Sequence, residues 1–142
     1  FQMNCFISRV HQVKKMPKGG LNFIERSIHS DKIFAANCHA SGNMNNIEMA
    51  IYNNWSSWLE YELCDKIDVI IYLRSTPEVS LERIRERGRP GEERIGIDYL
   101  TSIHRLHDHW IENTNLKVYT IDADTVDYSN PEVYEGVRQI IQ

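Results

Sequence analysis

The sequence predicts an α/β fold, on three observations. Three short apolar or β-branched runs, LNFIER (21–26), DVIIYLR (68–74) and KVYTIDA (117–123), have the composition of strands covered on both faces. The stretches between them show helical periodicity and are long enough to cross back over a sheet, which favours parallel strands. The chain of 142 residues, 42% apolar and 25% charged, has the bulk of one globular domain, so residues 1–142 are expected to form a single domain. A small disulfide scaffold, collagen and wholesale disorder are excluded.

Taken in order, residues 1–13 read as helix, and Met16-Pro17-Lys18-Gly19-Gly20 as the loop before the first strand. The first crossover holds NIEMAIYNNWSSWLEYEL (46–63), in which Ile47, Ile51, Trp55, Trp58 and Leu59 recur at spacings of three and four and give one apolar stripe. The Trp55/Trp58 pair is read as core packing or an interface. A second helix is expected from Thr76-Pro77, with Thr as cap and Pro in the first turn, to just before Gly88. A third follows Asp98, with Tyr99, Leu100, Ile103, Leu106 and Trp110 on its apolar face, and a short one follows Asn130-Pro131. Three parallel strands make a thin sheet, and the first helix has nothing ahead of it, so further strands are expected upstream of Phe1.

The 20 acidic against 16 basic residues give a formal charge of −4, which argues against coating nucleic acid or a membrane surface. No apolar run approaches the roughly 20 residues needed to cross a bilayer. Neither a nucleic-acid nor a membrane partner is expected. Cys5, Cys38 and Cys64 are odd in number and lack CxxC spacing, which points to a reducing compartment. An intracellular location is expected, cytoplasmic by preference, with a mitochondrial one left open because the sequence begins at Phe1 rather than Met.

Ligands of open parallel sheets bind beyond the carboxyl ends of strands, which draws attention to Glu25-Arg26-Ser27. A carboxylate beside a guanidinium could hold a metal ion and clamp a phosphate or sugar oxygen; the plain alternative is a solvent-exposed ion pair. In ERIRERGRPGEER (82–94), Arg83 and Arg87 lie four apart on one helical face, followed by Arg89 and by Gly88, Pro90 and Gly91, which make a movable loop. A loop of this kind, with guanidiniums on a helical stem, suits a lid that closes over phosphates. The alternative is a solvated helix face. His104, His107 and His109 fit no zinc spacing and are read as surface or capping residues. The GxxxxGK[ST] phosphate loop occurs nowhere in the sequence.

Together FIERSIHSDKIFA (23–35), IYNNWSSWL (51–59), IIYLRSTPEVSLERIRERGRPGEE (70–93) and IDYLTSIHRLHDHWI (97–111) resemble the deoxynucleoside kinase family, over Phe1 to about Asp122. The resemblance implies a P-loop-kinase-like α/β fold and transfer of the γ-phosphoryl of ATP, with Mg²⁺, to the 5′-hydroxyl of a deoxynucleoside. It implies that Phe1 and Gln2 enclose and read the nucleobase, Glu25 lies near Mg²⁺, and Arg26 binds near the 5′-oxygen. Arg83, Arg87 and Arg89 match lid arginines that hold ATP phosphates. Glu92, or Glu93 if the register moves by one, matches the carboxylate that accepts from the sugar 3′-hydroxyl. Arg9 and Asp31 match a pair near the base in the deoxycytidine and deoxypurine branch; a charged pair would bond polar base edges and crowd a thymine methyl. The helix with IYNNWSSWL resembles one forming the family's homodimer interface.

The family's phosphate loop and its general-base carboxylate belong to sequence that would precede Phe1, and SDKIFA is one residue shorter than the usual form. The chain is thus expected to be the carboxy-terminal portion of such a kinase, inactive alone. The competing readings are a nucleoside monophosphate kinase and a noncatalytic dimerisation or nucleotide-binding module.

Overall fold

The computed structural model describes residues 1–63 and 67–141, in two compact units, 1–66 and 67–142. Cys64 lies outside the described residues, whereas Cys5 and Cys38 are free thiols.

The first unit is helical. Helices α1 (Gln2–Lys14), α2 (Ile28–Ala40) and α3 (Asn46–Leu63) each pack on the other two. Met3, Phe6 and Val10 recur every three or four residues and turn one face of α1 inward, where Phe6 meets Tyr52 of α3 edge to face with ring centroids 6.0 Å apart. Ile28 and Ala35 of α2 and Leu59 of α3 complete this core. Full burial of a side chain such as Phe6 contributes about 1.5–3 kcal/mol. Both later helices start on caps written in the sequence. Ser27 accepts from the Ser30 N–H and returns its own N–H to the Ser30 hydroxyl, and Asn45 Oδ1 accepts from the N–H groups of Ile47 and Glu48.

Two expectations need correction in this unit. Residues 21–26 are not a strand: the segment is exposed, without a ladder, and no strand lies in this unit among the described residues. An apolar run becomes a strand only where its N–H and C=O groups meet a neighbouring ladder. Here the nearby polar groups are met otherwise: the Pro17 carbonyl accepts from the Asn22 amide and the Glu25 carbonyl from Arg9. The inward face of α3 is also not the one the spacing suggests. Tyr52, Ser56 and Leu59 are buried, while Ile47, Ile51, Trp55 and Trp58 face outward, the two tryptophans keeping 53% and 51% of their surface. Of the expected stripe only Leu59 is inside, and core packing is ruled out for the tryptophan pair. The faces are offset by one residue, about 100° on a helix, and both carry large apolar groups. The small Ser56 lies on the inward one.

The second unit is α/β. Strands β1 (Val69–Arg74) and β2 (Lys117–Asp122) run parallel, paired from Val69 opposite Lys117 to Arg74 opposite Asp122. Among the described residues the sheet has these two strands rather than the expected three. The connection holds α4 (Pro77–Arg87) and α5 (Ile97–Asn113), which pack on each other. Helix α4 obeys its sequence signals: the Thr76 hydroxyl accepts from the Val79 N–H, Pro77 is buried in the first turn, and Gly88 closes the helix at φ 59°, a left-handed conformation that glycine adopts without a Cβ penalty. Leu100, Ile103, Leu106 and Trp110 of α5 are partly buried, but Tyr99 is largely exposed. After β2 a 3₁₀ turn (Pro131–Tyr134) leads into α6 (Glu135–Ile141), where Gly136 lies directly against the Tyr119 ring. No described helix is long and apolar enough to cross a membrane.

Candidate functional site

In the first unit a cleft of about 650 Å³ opens between α1 and the segment 23–26. Phe1, Cys5 and Arg9, four residues apart along α1, wall one side, so this helix shows its core face to α2 and α3 and a second face to the cleft. Phe23, Glu25 and Arg26 line the other side.

Arg9 ties three segments together. Its Nε donates to Asp31 Oδ2 of α2 at 2.7 Å and its Nη1 donates to the Glu25 carbonyl at 2.7 Å. Asp31 is buried, so loss of Arg9 would strand a carboxylate, a change that costs about 3–5 kcal/mol. Arg26 has φ 63°, a positive value in a residue other than glycine, and its guanidinium carbon sits 4.3 Å from the centroid of the Phe34 ring. The residue after it, Ser27, caps α2, so Glu25 and Arg26 stand beside the positive end of a helix. Phe1 is almost wholly exposed at the cleft mouth, whereas Gln2 turns away and donates its amide to Cys38 Sγ at 3.2 Å. Thus Phe1, Arg9, Glu25 and Arg26 share the cleft, Asp31 bears on it through Arg9, and Gln2 does not line it. Glu25 and Arg26 stand in a turn before a helix, not at the tip of a strand as expected.

Deeper in this unit the Tyr52 hydroxyl is buried without a hydrogen-bond partner. Burial, with Asp31, Glu60 and Cys5 nearby, pushes its pKa well above the ordinary tyrosine value. On the far side Glu60 of α3 receives Lys32 Nζ at 2.5 Å, with His29 Nδ1 at 3.5 Å; burial lowers the His29 pKa despite that carboxylate.

In the second unit the arginine-rich stretch is the end of α4 and the loop after it. Arg83 Nη2 donates to the Ala123 carbonyl at 2.7 Å, Arg87 Nη2 meets Glu92 Oε2 at 2.8 Å, and Arg89 is exposed. The two glutamates differ. Glu92 reaches the arginine face, but Glu93 folds back on its own loop, accepting from the Gly91 N–H at 2.8 Å, and the backbone N–H groups of Glu93 and Gly91 hold its carboxyl below the usual range.

Two of the α5 histidines, His104 and His107, serve a network that the sequence did not disclose, whereas His109 is exposed as expected. Asp108 Oδ2 accepts from Arg74 Nη2 at 2.7 Å and lies 3.2 Å from His104 Nε2, while Asp108 Oδ1 accepts from the Tyr72 hydroxyl at 3.0 Å. Arg74 first, and Tyr72 and His104 with it, hold the Asp108 carboxyl below its usual value against partial burial. His107 stacks on Tyr72 and its Nδ1 lies 2.8 Å from the Ile103 carbonyl. Among the described residues no group of three or more histidine, cysteine or acidic side chains gathers as for a metal. Phe34 and Asp124 were likewise missed. The one signal for Asp124 was its place just past a strand end.

The first unit thus carries a cleft lined by Glu25 and Arg26, and the second carries arginines at the end of a helix closed by glycine. The chain belongs to the deoxynucleoside kinase family, whose family model matches residues 1–141. It is 39% identical over 128 residues to "Deoxycytidine kinase 2" of Gallus gallus, an alignment covering 83% of this chain and 48% of that protein. Against deoxycytidine kinase of Homo sapiens it is 42% identical over 127 residues, covering 82% and 49%. The chain thus spans about half the length of these curated relatives. Among solved structures it shares its fold with deoxyadenosine kinase from M. mycoides with bound dATP, at TM-score 0.80 and 20% identity over 97% of this chain and 70% of that one.

Proposed function

We propose that the full-length protein phosphorylates the 5′-hydroxyl of a deoxynucleoside at the expense of ATP, with deoxycytidine or a deoxypurine preferred, and so serves intracellular nucleotide salvage. The observation that carries this is the Arg9–Asp31 pair beside a cleft edged by Glu25 and Arg26, in a chain of the deoxynucleoside kinase family. The cleft volume falls in the range of about 300–1,000 Å³ usual for small-molecule sites. Relatives named as deoxycytidine kinases and a fold neighbour named as a deoxyadenosine kinase support the base preference.

In this reading residues 1–142 contribute to one catalytic domain. Phe1 and Gln2 enclose and read the base, and Arg9 with Asp31 bonds its polar edge. Arg26 steadies the 5′-oxygen as charge shifts in the transition state. Glu92 accepts from the sugar 3′-hydroxyl, and Arg83, Arg87 and Arg89 hold the ATP phosphates. Gln2 must leave Cys38 to reach a base, a rotamer change of a part-buried amide. For Mg²⁺ the residue type fits: such an ion takes one or two carboxylates together with substrate phosphates, and Glu25 is the carboxylate residue among those lining the cleft. When bound, the ion neutralises phosphate charge. The outward apolar stripe of α3 supports a homodimer formed through that helix.

The test is to assay the full-length protein with each deoxynucleoside and with deoxycytidine monophosphate, alongside Arg26→Ala. We expect phosphorylation of nucleosides, with kcat of Arg26→Ala down about tenfold or more and KM moved less. Activity on the monophosphate alone, or an unchanged kcat, overturns the reading. Glu92→Ala should raise the nucleoside KM about 10- to 150-fold, the loss of one charged hydrogen bond. If Glu93→Ala does so and Glu92→Ala does not, the sugar carboxylate is Glu93.

A further inference from the structure

Helix α4 ends through Gly88 in the loop of Arg89 and Glu92. Its start meets the turn that leaves β2. There the Asp124 carboxylate accepts from the Ser75 hydroxyl at 2.6 Å and, through its two oxygens, from the Thr76 N–H at 3.1 and 3.0 Å. Seven residues beyond Thr76, two helical turns along, Arg83 donates to the carbonyl of Ala123, the residue before Asp124. The hydrogen bonds from Ser75 and Thr76, with the Arg83 charge adding, hold the Asp124 carboxyl below its usual range.

The turn that supplies these acceptors is itself anchored. Ala123 is buried and donates its N–H to the Arg74 carbonyl at 2.8 Å, and Asp122 accepts from the Asp124 N–H and the Thr125 hydroxyl, both at 3.0 Å. A chain of direct contacts thus runs from the sheet through Asp124 to the first residues of α4. Direction matters because α4 acts as a lever: 11 residues extend about 16 Å, so a tilt of about 10° at its start moves its far end about 3 Å.

We propose that Asp124 is a positioning residue for phosphoryl transfer, fixing through Ser75 and Thr76 the direction in which α4 presents Arg87 and Arg89 to the triphosphate. The inference rests on the reading of those two arginines as triphosphate ligands. Asp124 itself need touch neither substrate; it acts through the helix start.

The experiment is steady-state kinetics of the full-length enzyme carrying Asp124→Ala, Asp124→Asn, Ser75→Ala and the Ser75→Ala/Asp124→Ala pair, with Arg87→Ala and Arg89→Ala as references. Asp124→Ala should raise the ATP KM and lower kcat, each about three- to tenfold, with the deoxynucleoside KM unchanged. Asparagine keeps an acceptor oxygen and should recover most of the loss. In the Ser75→Ala background the effect of Asp124→Ala should shrink, since both changes open one joint. An effect undiminished in that background means direct contact with a ligand and overturns the proposal, as do unchanged ATP parameters or equal losses toward both substrates. Should Asp124→Ala fail to fold, Asp124→Asn and Ser75→Ala are read by the same criteria. If Arg87→Ala and Arg89→Ala leave the ATP KM unchanged, the lid reading itself has failed; if they raise it and the Asp124 and Ser75 variants do not, only this inference has.

Discussion

Arg26 combines a side chain suited to binding an oxyanion with a backbone that a side chain resists. A left-handed φ in an L-residue costs about 1–2 kcal/mol, and the Phe34 contact offsets about 0.5–1 kcal/mol of that at an exposed site. Comparing Arg26→Gly with Arg26→Ala separates the two effects, because both remove the guanidinium and only alanine keeps a Cβ in the strained conformation. Arg26→Gly should be the more stable by about 1 kcal/mol in urea denaturation, both variants being slow. Equal midpoints would show that the turn relaxes around alanine. At this scale the sequence was informative about identity and silent about conformation. The Glu25-Arg26-Ser27 triplet, Arg9 with Asp31, and the arginines after position 82 stand out as residue types. That Arg26 rests on Phe34, or that Arg87 is met by Glu92, depends on rotamers that no spacing rule fixes.

Elements were legible wherever punctuation was local. Thr76-Pro77 and Gly88 bound α4 because a hydroxyl cap, a ring-fixed φ and a Cβ-free left-handed residue each act within a few positions. Residues 21–26 failed for the opposite reason, since their state depends on a ladder partner that their own sequence does not contain. The stripe of α3 was legible but the side it takes was not, because two faces of that helix are apolar and only packing selects between them. A more demanding test of element packing lies at Gly136. In a helix Gly→Ala ordinarily stabilises by up to about 1 kcal/mol. Here the added Cβ would come within 2.0 Å of the Tyr119 hydroxyl and 2.6 Å of the ring carbon that bears it. Gly136→Ala should therefore destabilise by about 1–3 kcal/mol, read as a lower thermal midpoint. In a Tyr119→Ala background the same change should be neutral or stabilising, as the obstacle is gone.

For the molecule as a whole, the apolar surface of α3 is the feature on which the proposed homodimer rests. Ile47, Ile51, Trp55 and Trp58 lie outward along one helix, with the two indoles edge to face at 5.8 Å. A row of this size on the outside of a folded chain fits the homodimer face proposed above. The full-length protein should sediment as a dimer at micromolar concentration, and Trp55→Glu should shift it to monomer without loss of helical signal. A monomeric parent, or a mutant that stays dimeric, would remove α3 from the interface. The family resemblance suggested this role for the helix, whereas the periodicity alone gave the stripe and left core packing and an interface both open.

The ladder between β1 and β2 ends flush, Arg74 opposite Asp122, so the two chain exits leave the sheet at one level. Six paired positions set the register, and neither exit overhangs the other. The turns that follow therefore start from the same height, which lets Ser75 and Thr76 after one strand meet the Asp124 carboxylate after the other.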